Sequence, residues 1–171
     1  EDGIFVFENV PYGNWLIKEL QPADGYLENN EIYPVRISEN GQTVGITVVN
    51  DRTPEIGTKA TVNGEKTATA EGDITIEDTV SYKHLIPGKA YTIKGILMDK
   101  ATGNPFLVNG EEVTSEITFT AEKKDGEITV RFTFDGSTVT KQTDIVVFET
   151  LYRDGVEIAV HADIEDGGQT V

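Results

Sequence analysis

The sequence contains no cysteine, and it has only two histidines, His84 and His161. The absence of cysteine excludes a disulfide framework and a zinc finger, and two histidines are too few for a histidine-rich metal site. Basic residues are also scarce, because 14 Lys and Arg stand against 30 Asp and Glu, which gives a formal net charge of −16. Nucleic acids and anionic membrane surfaces would repel such a chain. No apolar run approaches the roughly 18 residues that a membrane-spanning helix needs.

The composition that remains is that of a folded globular protein. Hydrophobic residues make up 37% of the 171 residues, and 17 glycines complete the usual apolar share. This length predicts one or two domains. The sequence begins at Glu1 rather than Met and opens without a signal peptide, so we expect a fragment of a longer protein.

Short β-branched and aromatic runs alternate with tight-turn dipeptides along the whole chain. Asn-Gly and Asp-Gly pairs recur, for example at 63–64, 109–110 and 154–155, and they favour hairpin turns because these residues accept positive φ. Residues 128–134 show the period-2 alternation of a half-buried strand. This pattern predicts an all-β sandwich fold. The predicted strands are 4–7, 15–19, 46–49, 80–82, 91–98, 117–119, 128–134, 145–151 and 156–160.

A domain boundary is predicted at Pro54, which cannot donate a hydrogen bond to a continuing strand ladder. Residues 1–53 then contain only some four strands, which is thin for a domain without covalent cross-links. We therefore expect the first domain to be incomplete, with its N-terminal strands lying before residue 1. Residues 54–171 are long enough for one complete sandwich.

Glu149 is the most unusual residue of the sequence. It lies in the run Ile-Val-Val-Phe-Glu-Thr-Leu-Tyr at 145–152, in which both faces of a strand would be apolar. A carboxylate there is costly unless it is paired or protonated. The alternative is a glutamate at the end of the strand that leans into solvent. His161 and Gln169, each taken alone, indicate no more than polar surface.

Four short motifs in a fixed order resemble those of a known family. They are Gly-Thr-Lys-Ala-Thr at 57–61, Asp-Thr-Val-Ser-Tyr at 78–82, Val-Val-Phe-Glu at 146–149, and His161 followed eight positions later by Gln169-Thr170. Together they make residues 54–171 similar to the Thr–Gln ester-bond domains of Gram-positive surface adhesins. Those repeats are named for a Val-Ala-Phe-Glu motif, and Val147 stands here in place of its Ala. The resemblance implies an immunoglobulin-like β-sandwich.

The resemblance also implies a self-catalysed ester between the first and last strands of this domain. The family's functional residues carry over to Thr61, Gln169, His161, Asp78 and Glu149. A threonine hydroxyl would attack the glutamine carbonyl carbon with the histidine as base, and ammonia would leave. The two acids, if buried together, would share a proton and polarise the carbonyl. Thr58 is the alternative nucleophile, and Asp78 keeps the alternative of a turn residue.

The first domain resembles the B-type, prealbumin-like repeat of collagen-binding surface proteins. The resemblance rests on residues 13–20 and on Pro-Ala-Asp-Gly-Tyr at 22–26, with Trp15 where that family usually has Tyr. In the family, a lysine of the first strand forms an isopeptide bond with an Asn or Asp of the last strand, beside a buried Glu. Glu19 and Asn50 match the last two roles, whereas the lysine is missing from residues 1–53 in its expected place. The alternatives are a surface Glu19 and an Asn50 that serves only in a turn.

These resemblances imply a structural stalk segment of an extracellular, cell-wall-anchored adhesin rather than an enzyme. The cross-link would turn over once and close a loop of about 108 residues between 61 and 169, which is worth roughly 4–5 kcal/mol by analogy with disulfides. We expect no cofactor and no bound metal. The expected partners are neighbouring repeats of the same protein and a host ligand bound through a part outside this chain.

Three alternatives stay open at this point. One is a ligand-binding module for glycan or host protein, built on aromatics such as Trp15, Tyr26 or Tyr33. The second is a true hydrolase that uses the same threonine, histidine and acids. The third is a Ca²⁺ site in the acidic stretch 163–166, although its ligand spacing is not that of an EF-hand.

Overall fold

The computed structural model describes residues 3–171, in which twelve strands carry nearly all of the regular structure. The helical element of these residues is one short 3-10 turn, Gly136–Thr138. No helix in the described chain has the length and hydropathy of a membrane span. The all-β prediction is therefore confirmed. The chain divides into two compact units, unit 1 (Glu1–Thr53) and unit 2 (Pro54–Val171).

Unit 1 has one two-stranded antiparallel sheet within residues 3–53. Strand β1 (Gly13–Lys18) pairs with β2 (Ile32–Ile37), and Gly13 lies opposite Ile37. Two backbone hydrogen bonds, from Leu27 N to Asp51 O at 2.8 Å and from Thr53 N to Gly25 O at 2.9 Å, hold the end of the unit against its middle. The strand predicted at 15–19 is thus present, and β2 is a strand that the sequence patterns did not predict.

Two predicted strands of unit 1 do not form. Residues 4–7 and 46–49 lie outside every strand of the described chain, and Phe5 is 89% exposed. Residues with high β-propensity form a strand only where a neighbouring strand completes the backbone hydrogen bonds and covers the side chains. Because the sheet described in residues 3–53 stops at two strands, the apolar side chains of both segments stay at the surface.

Unit 2 is a β-sandwich of two antiparallel sheets. The first sheet has the order β10-β4-β3 and consists of β3 (Glu55–Val62), β4 (Asp73–Lys83) and β10 (Gly126–Asp135). The second contains β12-β11-β5, with β6 and β9 also paired to β5. Its members are β5 (Ala90–Asp99), β6 (Asn104–Pro105), β9 (Thr114–Thr120), β11 (Ile145–Arg153) and β12 (Val156–His161). A small ribbon joins β7 (Leu107–Val108) to β8 (Glu111–Glu112).

The core of unit 2 lies between these sheets because alternate residues of each strand face inward. In β4 the buried positions fall on every second residue, as the period of a strand with one buried face requires. Phe132 of β10 packs so closely on β5 that a Cβ added to Gly95 would collide with its ring. The two sheets therefore form one continuous apolar core.

The closing segment, residues 167–171, connects β3 of the first sheet with β11 of the second. On one side it pairs with β11, through bonds of 2.9 Å in both directions between Ile145 and Val171. On the other side Ala60 N of β3 donates to Gly168 O at 3.0 Å. The segment thus places Gln169 between the first strand of the unit and β11.

Candidate functional site

Three polar or charged residues are fully buried in the part of the chain that the structure describes, and all three belong to the predicted site. They are Asp78 and Gln169, each at 0% exposure, and Glu149 at 1%. Asp78 takes an inward position in the middle of β4, between Ile76 and Val80, so it does not lie in a turn. Glu149 takes an inward position in β11, and its Oε2 accepts a 3.2 Å hydrogen bond from Nε2 of Gln169. The structure therefore brings these three residues together.

Thr61, the predicted nucleophile, does not lie at this site. It pairs with Glu77 across β3 and β4, and its hydroxyl donates to Glu77 O at 3.4 Å. Its neighbours Ala60 and Val62 are buried, and adjacent residues of a strand point to opposite faces. Thr61 therefore belongs to the outer face of the sheet. The assignment of the nucleophile to Thr61 is corrected on this ground.

Thr58, the alternative nucleophile, occupies the inward face of β3. It lies three residues before Thr61, an odd separation that places the two side chains on opposite faces. Its Oγ1 is buried, and it lies near enough to both carboxyls to affect the pKa of Asp78 and of Glu149. The strand also aligns Ala60, two residues on, with Asp78. Thr58 is therefore the hydroxyl that the fold delivers to the site.

Five side-chain oxygens of the site are buried without a protein hydrogen-bond partner of good geometry. They are Oγ1 of Thr58, Oδ1 and Oδ2 of Asp78, Oε1 of Glu149 and Oε1 of Gln169. Folded proteins pair nearly all of their buried polar atoms, and each one left unpaired costs about 1–3 kcal/mol. Because these unpaired oxygens cost stability, a cluster of them is typical of a functional site, where a chemical role accounts for their presence.

The two carboxyls of the site hold their protons more strongly than exposed acids do. Burial raises the pKa of Asp78. Burial, together with the neighbouring Asp78, raises the pKa of Glu149 to about 11. Glu149 is consequently protonated at neutral pH, because two adjacent carboxylates in a dry environment cannot both ionise. A protonated carboxyl in contact with an amide can donate a hydrogen bond to its oxygen.

His161 lies at the edge of the site and is held by a second acid. It is directly opposite Glu149 in the pairing of β11 with β12, so its side chain leaves the sheet on the same face. Its Nε2 lies 2.9 Å from Oδ2 of Asp166, whose Oδ1 accepts from Gly168 N at 2.6 Å. The hydrogen bond with His161 and the one from Gly168 lower the pKa of Asp166. Asp166 thus orients both the imidazole and the backbone next to Gln169.

Asp166 is a site residue that the motifs did not predict, although the sequence contains a signal for it. It lies in the acidic stretch 163–166, five positions after His161 and three before Gln169. An acid so close to a proposed base is a natural partner for its second ring nitrogen. Within the described residues no group of three or more His, Asp or Glu is arranged to hold a metal ion.

Glu19 and Asn50 also meet, in unit 1. Asn50 Nδ2 donates to Glu19 Oε1 at 2.7 Å, and Asn29 N donates to Glu19 Oε2 at 3.2 Å. Oδ1 of Asn50 is buried without a partner. Residues 1–53 contain a single lysine, Lys18, whose Nζ lies 4.0 Å from Oε1 of Glu28. The isopeptide roles of Glu19 and Asn50 stay predictions.

The three aromatic residues considered for a ligand-binding site each make a contact within unit 1. Trp15 donates from Nε1 to Pro11 O at 3.0 Å, and the guanidinium of Arg52 lies 5.8 Å from the ring centroid of Tyr26. The hydroxyl of Tyr33 accepts from Asn29. These three contacts are separate from one another, and the ligand-binding alternative gains no specific observation from them.

Comparisons with known proteins match each of the two units to a described family or fold domain. Residues 54–171 match the family described as the T-Q ester bond containing domain, and residues 1–52 match the prealbumin-like fold domain of the SpaA type. A search of the curated proteins finds no significant match to this chain.

Solved structures with a similar fold include a bacterial adhesin from Mobiluncus mulieris that contains intramolecular disulfide, isopeptide and ester bond cross-links. Its P1 crystal form has a TM-score of 0.61 at 21% identity, and its P21 form has a TM-score of 0.60 at 22% identity. Each match covers 70% of this chain and 56% of the adhesin chain, so the two share a fold over part of their lengths. Since residues 54–171 are more than half of the sequence, the chain belongs to the family of T-Q ester bond containing domains.

Proposed function

We propose that unit 2 forms an intramolecular ester between Oγ1 of Thr58 and the side-chain carbonyl carbon of Gln169, and that this cross-link serves a structural role. The observation that carries the proposal is the buried meeting of a hydroxyl, an amide and two carboxyls whose oxygens lack other partners. The family match over residues 54–171 supports the same chemistry. Catalysis is limited to one turnover, because the chain is its own substrate.

The reaction proceeds by nucleophilic acyl substitution. The Thr58 hydroxyl loses its proton to His161, and Oγ1 attacks the Gln169 carbonyl carbon. The new C–O bond converts the carbonyl oxygen to an oxyanion, which the protonated Glu149 carboxyl stabilises by a hydrogen bond. The C–N bond then breaks, the amide nitrogen takes up the proton, and ammonia leaves. One ester and one ammonia thus replace one hydroxyl and one amide.

Three features of the site favour this reaction over simple hydrolysis. Burial of Gln169 and Glu149 excludes bulk water from the carbonyl, which also strengthens each electrostatic interaction there. The strands hold the hydroxyl and the amide in place, so little entropy is lost on reaching the transition state. Asp166 fixes the ring of His161 through Nε2, which leaves the other ring nitrogen to act as the base.

An ester at this position would join the two ends of the sandwich. Thr58 lies on β3, the first strand of unit 2, and Gln169 lies in the closing segment. A pulling force applied to the two ends of the unit would then pass through a covalent bond instead of the hydrogen bonds between strands. This arrangement suits a stalk that resists force and proteolysis.

We assign the chain accordingly to the stalk of a surface adhesin, of Gram-positive type and anchored to the cell wall. The adhesin from Mobiluncus mulieris that contains ester and isopeptide cross-links has a similar fold, and the domain order of a prealbumin-like unit followed by an ester-bond unit suits tandem repeats. Neighbouring repeats of the same protein are the partners that we propose.

The intact mass of the denatured protein tests the ester. We expect a mass lower than that of the unmodified sequence by one ammonia. Thr58→Ala should have the full mass calculated from its own sequence, whereas Thr61→Ala, on the outer face of the same strand, should still be one ammonia lighter than its sequence predicts. A full mass in well-folded wild-type protein would refute the ester. Loss of ammonia that survives Thr58→Ala and disappears in Thr61→Ala would refute the assignment of the nucleophile.

A further inference from the structure

Lys66 reaches back across the turn after β3 and contacts the closing segment. Its Nζ donates to four backbone carbonyls, and three of these bonds are short: 2.7 Å to Gly168 O, 2.8 Å to Ala60 O and 3.0 Å to Thr170 O. The fourth contact, with Gly167 O, is 3.4 Å. An ammonium has three N–H donors and no acceptor, so its donors are all engaged by main-chain oxygens.

These carbonyls belong to the two pieces of chain that carry the reacting groups. Ala60 lies in β3, two residues after Thr58, while Gly168 and Thr170 flank Gln169 in the closing segment. Ala60 and Gly168 are also joined directly, by the 3.0 Å bond from Ala60 N to Gly168 O. The ammonium therefore fixes the distance between β3 and the closing segment at the site itself.

Two opposing sets of effects act on the ammonium of Lys66. Burial and the neighbouring Lys59 lower its pKa, whereas Asp78 and Asp166 act in the opposite direction. Hydrogen bonds from an ionised donor are roughly twice as strong as neutral ones. Three such bonds at 3.0 Å or less hold Lys66 in one geometry, whereas the lysines of the ion pairs on the surface of unit 2 are exposed.

We propose that Lys66 is a positioning residue for ester formation, whose ammonium holds the closing segment so that the Gln169 carbonyl stays in front of the Thr58 hydroxyl. The inference rests on the proposed ester. Lys66 does not touch the reacting atoms, and it acts through the backbone on both sides of Gln169. A displacement of about 1 Å in such an arrangement costs up to about a hundredfold in rate.

The test is the rate of ammonia loss in folded protein. The full chain is synthesised in a short cell-free pulse, and the ratio of reacted to unreacted intact mass is followed with time. Lys66→Met keeps the length of the side chain and removes its donors, so we expect ester formation to slow at least tenfold. Lys59→Met is the matched control: it removes the same charge from an exposed position of β3, and we expect it to react at the wild-type rate.

A second measurement separates positioning from stability. In a Thr58→Ala background, which cannot react, the melting temperatures with and without Lys66→Met show whether the variant is folded at the temperature of the rate assay. A slow rate in a folded variant supports the proposal, and a wild-type rate overturns it. Should Lys66→Met unfold, Lys66→Ala, which also lacks a side-chain donor, takes its place with the same two outcomes. A wild-type chain that never loses ammonia would instead refute the ester.

Discussion

Removing the Thr58 hydroxyl should reveal how much the ester stabilises unit 2. The cross-link closes a loop of about 111 residues between positions 58 and 169. By the loop-entropy relation used for disulfides, such a closure destabilises the unfolded chain by about 5 kcal/mol at 25 °C. Thr58→Ala removes the cross-link, because the variant lacks the oxygen that would form the ester. We therefore expect the unfolding free energy of unit 2 to fall by about 5 kcal/mol.

Differential scanning calorimetry measures this loss as a shift in the melting temperature. Residues 54–171 are about 118 residues, which gives an unfolding entropy of about 0.25 kcal/mol/K. Division of the two values predicts a decrease of about 20 °C for Thr58→Ala. Thr61→Ala loses only one long hydrogen bond at the outer face, worth about 1 kcal/mol or less, so its melting temperature should change by no more than about 4 °C.

Two results would contradict this reasoning. If wild type has lost one ammonia relative to its sequence mass and Thr58→Ala has not, yet the two melt within a few degrees of each other, the entropic account of the cross-link is wrong. If Thr61→Ala shows the large decrease and Thr58→Ala does not, the assignment of Thr58 to the inward face of β3 is wrong.

Two further predictions concern the acids of the site. In Thr58→Ala protein the folded pKa of Glu149 lies far above its unfolded value, so folding takes up a proton. The unfolding free energy should therefore fall as the pH rises above about 4.3, by up to about 1.4 kcal/mol per pH unit. Adding Glu149→Gln should remove this contribution between pH 5 and 8, as urea titrations would measure; identical slopes in the two proteins would disprove a protonated Glu149. Asp166→Asn, which weakens the hold on the imidazole, should slow ammonia loss in the pulse assay by at least tenfold, and an unchanged rate would remove Asp166 from the mechanism.

The identity of the nucleophile shows what the sequence can and cannot predict. The motif at 57–61 contains two threonines, and the resemblance alone favours Thr61. The alternation of Ile56, Ala60 and Val62 is a usable signal, because it places even-numbered residues on the inward face of the strand. Applied to this strand, that alternation selects Thr58 over Thr61.

Other parts of the site are predictable for a different reason. Glu149 interrupts an apolar strand, so its local pattern alone singles it out. Asp78 and Gln169 are indicated only by motifs that resemble those of the family. The contacts of Lys66 cannot be predicted in this way. Its partners include main-chain oxygens that lie about a hundred positions away along the chain, and backbone groups carry no residue-specific signal.

The strands of unit 1 are the least predictable part of the fold. Residues 4–7 and 46–49 have strong β-propensity, and β2 contains Pro34, which propensity disfavours in a strand. Whether a segment pairs depends on a neighbour with free hydrogen-bonding groups, and propensity contains no information on that. β2 has such a neighbour in β1, whereas 4–7 and 46–49 have none within residues 3–53.

The position of the closing segment has a consequence for timing. Because it bonds to β3 on one side and to β11 on the other, Thr58 and Gln169 meet only after both sheets have packed. The proposed ester would then form in chains that have completed folding and in no others, and it would persist through any later unfolding. The fraction of cross-linked molecules would accordingly count every chain that has ever reached the native state, whatever its conformation at the moment of measurement.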